Sequence, residues 1–310
     1  MDNKYYQEYL QNEVKPKFRS SQSIKSKAVP RYPESVEREF QRLSRQYLGI
    51  FKDTLKDHLP AIMNAYKKER HGSTRLDDSQ DLNNDVQEEM RKTAEELEQK
   101  LASFGLLAFI EKIAEMLRKN SVREWKRIIR QTLGVDITDE YYSKEMYEYI
   151  IKRWISENVS MIKSIPNQTL DDMRQIMLDG FMNGRSIKDI QRSIQSQYDV
   201  TKSKAAMLAR DQISTLNAQL SQMQQKDAGC KKYKWSSSRD SRVRDCHREL
   251  DGKIFSWDDP PEMWYNTKSK GRVMTGRRCH PGEDFCCRCV AIPIFEKNTL
   301  NIPFTPKSKG

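Results

Sequence analysis

Two stretches near the C-terminus decide how this chain is read: WSSSRDSRVRDCHRELDGKIFSW at 235–257 and GRRCHPGEDFCCRCVAIPIF at 276–295. Together they hold Cys246, Cys279, Cys286, Cys287 and Cys289; Cys230 is the sixth cysteine, and the first 229 residues contain none. Such clustering argues for a local site. The N-terminus lacks a charged-then-apolar leader, and the longest apolar run, Leu106 to Ile110, is far short of the ~18 residues a membrane span needs. A reducing cytoplasm is the expected setting. There, close-set cysteines read better as metal ligands than as disulfides.

The module built on these stretches, 230–296, is of a size that commonly needs a metal or other staple to fold. Zinc takes four sulfur or imidazole nitrogen donors in a tetrahedron, and a structural zinc site fills all four from the protein. We expect His247, Cys287 and Cys289 to be ligands, with Cys279 as the fourth and Cys246, His280 and Cys286 as its competitors. The spacing matches no standard finger. The competing reading is a set of reduced thiols in a small core, with His247 hydrogen-bonded inside it.

Around His247 the charges alternate densely, through Arg239, Asp240, Arg242, Arg244, Asp245, Arg248 and Asp251. Ion pairs of this kind can orient a metal-ligating histidine through its second nitrogen, the role expected of Asp240, Arg244 and Asp251. The alternative is a zinc-dependent hydrolase or nuclease using Asp240, Asp245 and His247. Ligand number separates the two, because a catalytic zinc keeps one position open. No Gly-rich phosphate loop, GxSxG elbow or HExxH motif occurs, so a non-catalytic role is expected.

The chain is basic, with 55 Lys+Arg against 44 Asp+Glu. That excess raises the prospect of an acidic partner such as nucleic acid. Between Lys231 and Arg278 thirteen basic residues face seven acidic ones. The loop carrying Lys268, Lys270, Arg272, Arg277 and Arg278 is the expected phosphate contact, made without sequence readout.

Outward from the module the pattern turns helical. The fold class expected is mainly α: an elongated helical body followed by a small α+β Cys/His-rich module. Residues 1–33 carry seven basic and three acidic side chains with few apolar anchors, and read as a flexible basic arm. Residues 34–165 read as the helical body, with breaks at Gly72–Ser73 and the polar run after it, at Gly134 and at Pro166. Residues 166–229 read as three capped helices, with Thr169, Ser186 and Thr201 as their starts and Gly184 as a stop. In the last, Ala209, Ile213, Leu216, Leu220 and Met223 repeat at steps of four and three, an internal packing seam. Residues 297–310 read as a disordered tail.

LARDQISTLNAQ at 208–219, KWSSSRDSRVRDCHRELDGKIF at 234–255 and HPGEDFCCRCVAIPIF at 280–295 resemble the phage head morphogenesis, or Mu F-like minor head (minor capsid) protein, family. The resemblance covers about 170–295. It is most specific at Asp240, Arg244, His247, Asp251 and Gly252, and at Pro281, Gly282, Cys287, Arg288 and Cys289. It implies a low-copy internal head component of a double-stranded DNA phage, partnered by portal, scaffold or capsid proteins and by packaged DNA. The implied location is the virion interior, and the host cytoplasm during assembly, with no membrane.

Overall fold

A computed structural model describes residues 8–72, 84–137, 145–183 and 185–302. Five helices make most of it: α1 (Glu34–Gly72), α2 (Asn84–Ala102), α3 (Leu106–Leu133), α4 (Glu145–Met182) and α5 (Ile187–Asp227). A short helix, α6 (Asp245–Leu250), accompanies six strands: β1 (Ser23–Lys25), β2 (Lys232–Ser236), β3 (Ile254–Ser256), β4 (Glu262–Thr267), β5 (Gly271–Arg278) and β6 (Val290–Glu296). The protein is mainly α with a small α+β module, as its residue pattern implies. No helix among the described residues is long and apolar enough to cross a membrane.

The chain condenses into two compact units, each assembled from separated stretches. One contains 1–36, 114–154 and 210–310, the other 37–113 and 155–209. This differs from the linear division expected at 165/166 and 229/230. The unit boundaries fall inside the long helices, because helical periodicity marks where a helix runs and not where its buried face changes company.

In the second unit, Phe51, Tyr66, Leu97, Met173, Met177 and Ile190 belong to one buried cluster. Two expected helix starts lie inside helices here. Pro166 does not end α4, which runs unbroken to Met182, and α5 runs unbroken through Thr201. Thr169 Oγ1 donates to the Ile165 carbonyl at 2.7 Å and Thr201 Oγ1 to that of Gln197 at 2.9 Å, with the two hydroxyls 3.1 Å apart. Each threonine bonds back to its own helix instead of capping the next. Ser186 does act as a cap: its Oγ accepts the Asp189 N–H at 3.1 Å and donates to Asp189 Oδ2 at 2.6 Å. Gly184, the expected stop, lies outside the described residues, as do 73–83.

The first unit holds the sheet, in order β1-β6-β2-β3 and antiparallel throughout. A separate β4–β5 hairpin lies beside it in sequence. The seam helix α5 presents Ile213, Leu216 and Leu220 to the interior, each no more than 1% exposed. Its side chains grip the cysteine block directly. Gln225 Nε2 donates to Ala291 O at 2.8 Å, Asp211 Oδ1 accepts the Cys286 N–H at 2.7 Å, and Ser214 Oγ donates to Cys287 O. Gly282, at φ +89°, permits the approach: a Cβ there would come within 2.9 Å of Ala218 Cβ.

The expected flexible arm is corrected from residue 8 onward. Leu10, Val14 and Phe18 are buried, and β1 forms the sheet's edge, pairing Ser23 with Glu296 and Lys25 with Ile294. Lys17 Nζ donates to Leu133 O, capping the C-terminus of α3. Ser26 Oγ lies 3.1 Å from Thr132 Oγ1, and Arg127 donates to Val29 O at 2.7 Å. Leu10, Val14 and Phe18 stand at steps of four, a helical spacing that the surrounding basic residues concealed. The expected disordered tail is likewise fixed as far as Ile302, which is buried; Asn301 N–H donates to Ala228 O at 3.2 Å. Residues 303–310 lie outside the described residues.

Deleting residues 1–26 should destabilise the sheet-bearing unit by several kcal/mol, at about 1.5–3 kcal/mol for each of the three buried side chains lost. Thermal melts of the full and shortened chains measure this. Equal midpoints would restore the loose-arm reading.

Candidate metal centre

The two sequence blocks meet at one buried point. Arg244, in an extended conformation, leads into α6, which turns Cys246, His247 and Leu250 inward. In the second block a turn, with the Cys287 N–H on the Asp284 carbonyl at 2.9 Å, reverses the chain ahead of β6. Alternation after that turn places Cys287 and Cys289 on the same side, and the Cys289 N–H donates to Cys287 Sγ at 3.4 Å. His247 Nδ1 lies 3.5 Å from Cys287 Sγ and 3.7 Å from Cys289 Sγ. All three residues are buried, and their donor atoms lie within 4.8 Å of one another.

The other ring nitrogen is held from behind. His247 Nε2 is 3.2 Å from Asp284 Oδ2, an ion pair buried to within a few per cent on both sides. Arg244 reaches the same oxygen at 3.2 Å, and Arg277 reaches Oδ1 at 3.0 Å. Burial alone would raise the Asp284 carboxyl, but His247 and Arg244 outweigh it and hold it at about 2. Burial likewise pulls the imidazole down, yet Asp284, Cys246 and Cys287 together push it up to about 11. The Cys287 thiol is driven well below its ordinary value by the neighbouring Cys289 sulfur and by His247. Cys289 moves the opposite way, because it keeps the proton that the pair shares. These shifts favour the charged forms of His247, Cys287 and Asp284 beside one another.

That donor set suits zinc. Two sulfurs and an imidazole nitrogen converge without competing polar ligands, and a carboxylate on the far ring nitrogen fixes the ring orientation. Loading would expel the protons held by Nδ1 and Cys289. Cys279, the expected fourth ligand, is not in the group: it is half-buried at the end of β5, with its N–H on Pro261 O at 3.2 Å. Its competitors also lie outside the group, although Cys246 adjoins the His247 ring. His280 Nδ1 meets the Tyr233 hydroxyl at 2.9 Å, and Cys246 Sγ lies 3.8 Å from Met263 Sδ. The thiols are also part of the module's apolar core, with Tyr233, Trp235, Leu250 and Trp257.

The expected orienting residues divide. Arg244 reaches the centre through Asp284. Asp251 instead accepts the Ser237 N–H at 2.9 Å and pairs with Arg239 at 3.3 Å, bracing the loop between β2 and α6. Asp240 accepts the Arg242 N–H at 2.9 Å and pairs with Arg288. Asp284 itself was missed by sequence reasoning, since an acid in a Gly-Glu-Asp turn resembles any solvated loop acid. Beside the centre lies a cavity of about 140 Å³ whose walls include all three donor residues, Asp240 and four arginines, Arg210, Arg242, Arg244 and Arg288.

The expected phosphate-contacting loop is largely spoken for. Arg272 pairs with Glu249 at 3.0 Å and lies over the Trp264 ring at 4.2 Å. Arg277 pairs with Asp284 and Arg278 with Asp259. Lys268 and Lys270 are exposed at the hairpin tip. A second basic surface was not singled out: Arg118, Lys119, Arg123, Lys126, Arg127 and Arg130 line a cavity of about 760 Å³ along α3. Glu115, Glu124 and Asp136 offset part of that charge.

Residues 171–292, spanning α5 and most of the module, match the family described as Phage Mu protein F like protein. This stretch is what the chain shares with that family. An uncharacterized protein of Haemophilus influenzae is 33% identical over 178 residues, covering 57% of this chain and 37% of that protein. The minor head protein GP7 of Bacillus phage SPP1 is 22% identical over 218 residues, covering 60% of this chain and 68% of that protein. The chain thus spans little more than a third of the Haemophilus relative. No solved structure matches. His247, Cys287 and Cys289 all fall inside the matched stretch.

Asp284→Asn should cost about 2 kcal/mol, the free energy of a carboxyl held roughly two units below its unfolded value. The sign follows from the lowered pKa. The contribution is whole above the unfolded carboxyl value and is lost as pH falls through about 2. The melting-temperature gap between variant and parent should therefore be constant above pH 5 and narrow steeply in acid; a gap as wide at pH 2 as at pH 6 would refute the ion-pair account.

Proposed function

We propose that this protein is a phage minor head protein, a low-copy internal component of the procapsid that associates with the portal and the packaged double-stranded DNA and supports head assembly. The observation that carries the reading is the Mu F-like match over 171–292, joined by the likeness to a phage minor head protein. In this reading the protein works in the host cytoplasm during assembly and ends inside the virion. The helical surfaces bind portal, scaffold or capsid proteins, and basic faces hold the genome by charge alone. The Mu F-like domain carries one Zn²⁺ on His247, Cys287 and Cys289, which ties α6 to the β6 approach and gives the module a fixed shape. The converging donor set supports that assignment.

A second reading, a zinc-dependent hydrolase or nuclease, is favoured by one observation. Three protein donors beside a cavity is the arrangement a catalytic zinc uses. It requires metal-dependent cleavage of nucleic acid that Asp240→Asn abolishes. No cleavage by the zinc-loaded protein sinks it.

Three measurements test the main reading. Metal analysis of the purified chain should find one zinc, lost in His247→Ala and Cys287→Ser and retained in Cys279→Ser. Co-purification with the portal from infected cells should recover the protein; its absence from both procapsids and virions would end the head-protein assignment. Retention of duplex DNA should fall steeply with salt as neutralised phosphates release counterions. The double change Arg123→Glu with Lys126→Glu should weaken retention more than Lys268→Glu with Lys270→Glu, and a flat salt response would remove DNA binding altogether.

A further inference from the structure

We propose that the groove between α1 and α5 is a docking site for an acidic amphipathic helix of a partner protein. All of its residues belong to the second unit and none to the metal centre, so the inference goes beyond the head-protein reading and does not depend on the metal. The groove is a cavity of about 600 Å³. Leu55, Leu59, Met63, Ile194 and Tyr198 form its floor, each belonging to the unit's buried cluster or packed against it. Lys52, Lys56 and Lys67 from α1 and Gln191 and Gln195 from α5 form its exposed rim.

The spacing of the lining fits a helix. On α1 the lining positions recur every three or four residues from Lys52 to Lys67, a stripe of about 22 Å at ~1.5 Å rise per residue, and on α5 Gln191, Ile194 and Tyr198 keep the same step. A valley between two packed helices with this periodicity is filled by a third helix whose apolar side chains repeat at matching steps. Three cations and no carboxylate line the groove. Lys52 lies over the Tyr198 ring at 5.9 Å, and Lys56 and Lys67 have no ion pair among the described residues. Asp53 and Asp199 bear on Tyr198 at the Lys52 end, and Asp53 and Asp57 act on Lys100 of α2; none of the three lines the groove. Lys56 and Lys67 are therefore the charges the groove presents, each carried over the floor on an apolar stem. Glutamates flanking an apolar stripe would meet them, and such complementarity fixes register and partner choice. A nucleic-acid backbone would meet the same lysines but has no apolar face for the floor.

The test uses the full-length protein and a fluorescein-labelled synthetic helix of about four turns, with leucines at steps of three and four and glutamates beside them. Two control peptides keep its length: one exchanges the glutamates for lysines, the other the leucines for serines. Fluorescence anisotropy should show saturable binding of the first peptide, with both controls at least about tenfold weaker. Lys56→Glu with Lys67→Glu should weaken the acidic peptide about tenfold and strengthen the lysine peptide, as two exposed attractions become repulsions. Lys56→Gln with Lys67→Gln, which removes charge without adding any, should give a smaller loss and serves as the readout if thermal melts show that the reversal disturbs folding. A photoreactive group on the acidic peptide should label α1 between Lys52 and Lys67. No binding, or equal binding of the acidic and lysine peptides, would overturn the proposal. Displacement of the peptide by duplex DNA that is lost in the same lysine variants would give the groove to nucleic acid, and self-association of the chain abolished by Lys56→Glu with Lys67→Glu would give it to a second copy; either result overturns the proposal too. None of these outcomes bears on the metal or on the presence of the protein in procapsids.

Discussion

The contact on which the C-terminal module depends is the meeting of His247 Nδ1 with two cysteine sulfurs, backed on Nε2 by Asp284. It joins residues forty positions apart, one on a short helix and the others at the entrance of the central strand β6. Neither block could hold its shape alone: α6 is six residues long, and the CCRC turn has no regular structure. What fixes both is convergence in a common core: His247, Cys287 and Cys289 are buried together with Asp284 behind the ring, and opposite partners offset the cost of burying ionisable groups there.

That arrangement also explains why the module is attached to a helix much longer than it needs. The second block touches α5 through Ser214 at Cys287, Asp211 at Cys286 and Gly282 against Ala218. The seam residues Ile213, Leu216 and Leu220 are the apolar part of the same contact. The family match begins in α4 and includes all of α5, so helix and module are matched as one element. A position one turn along α5 is therefore a position relative to the metal donors, and the helix carries the geometry of the centre into the body of the unit.

Much of this was legible in the sequence, for identifiable reasons. His247, Cys287 and Cys289 stood out because their chemistry is rare and their spacing tight. The α5 seam stood out because helical period survives without knowledge of its partner. Asp284 did not, since its role exists only once the turn folds it behind the imidazole. Cys279 was overvalued for the converse reason: proximity in sequence to Cys286–Cys289 counted for it, but the hairpin anchors it to Pro261. Pairing of Ser23 with Glu296 spans nearly the whole chain, and a three-residue strand carries too little alternation to announce it. Thr169 and Thr201 show a different limit. A hydroxyl that can cap a helix can equally bond the preceding turn, and tertiary burial decides between them.

The electrostatics of the centre constrain its chemistry beyond the identity of the ligands. The arginines around it fall into two sets. Arg244 and Arg277 serve Asp284, so they act on His247 from behind and set the ring in place. Arg242 and Arg288 converge on Asp240 at the cavity, on the side where the donor residues are open. Each set therefore faces a carboxylate of its own, Asp284 behind the ring and Asp240 at the cavity wall. The division of arginines between the two carboxylates therefore ties the two sequence blocks together on both sides of the donor group.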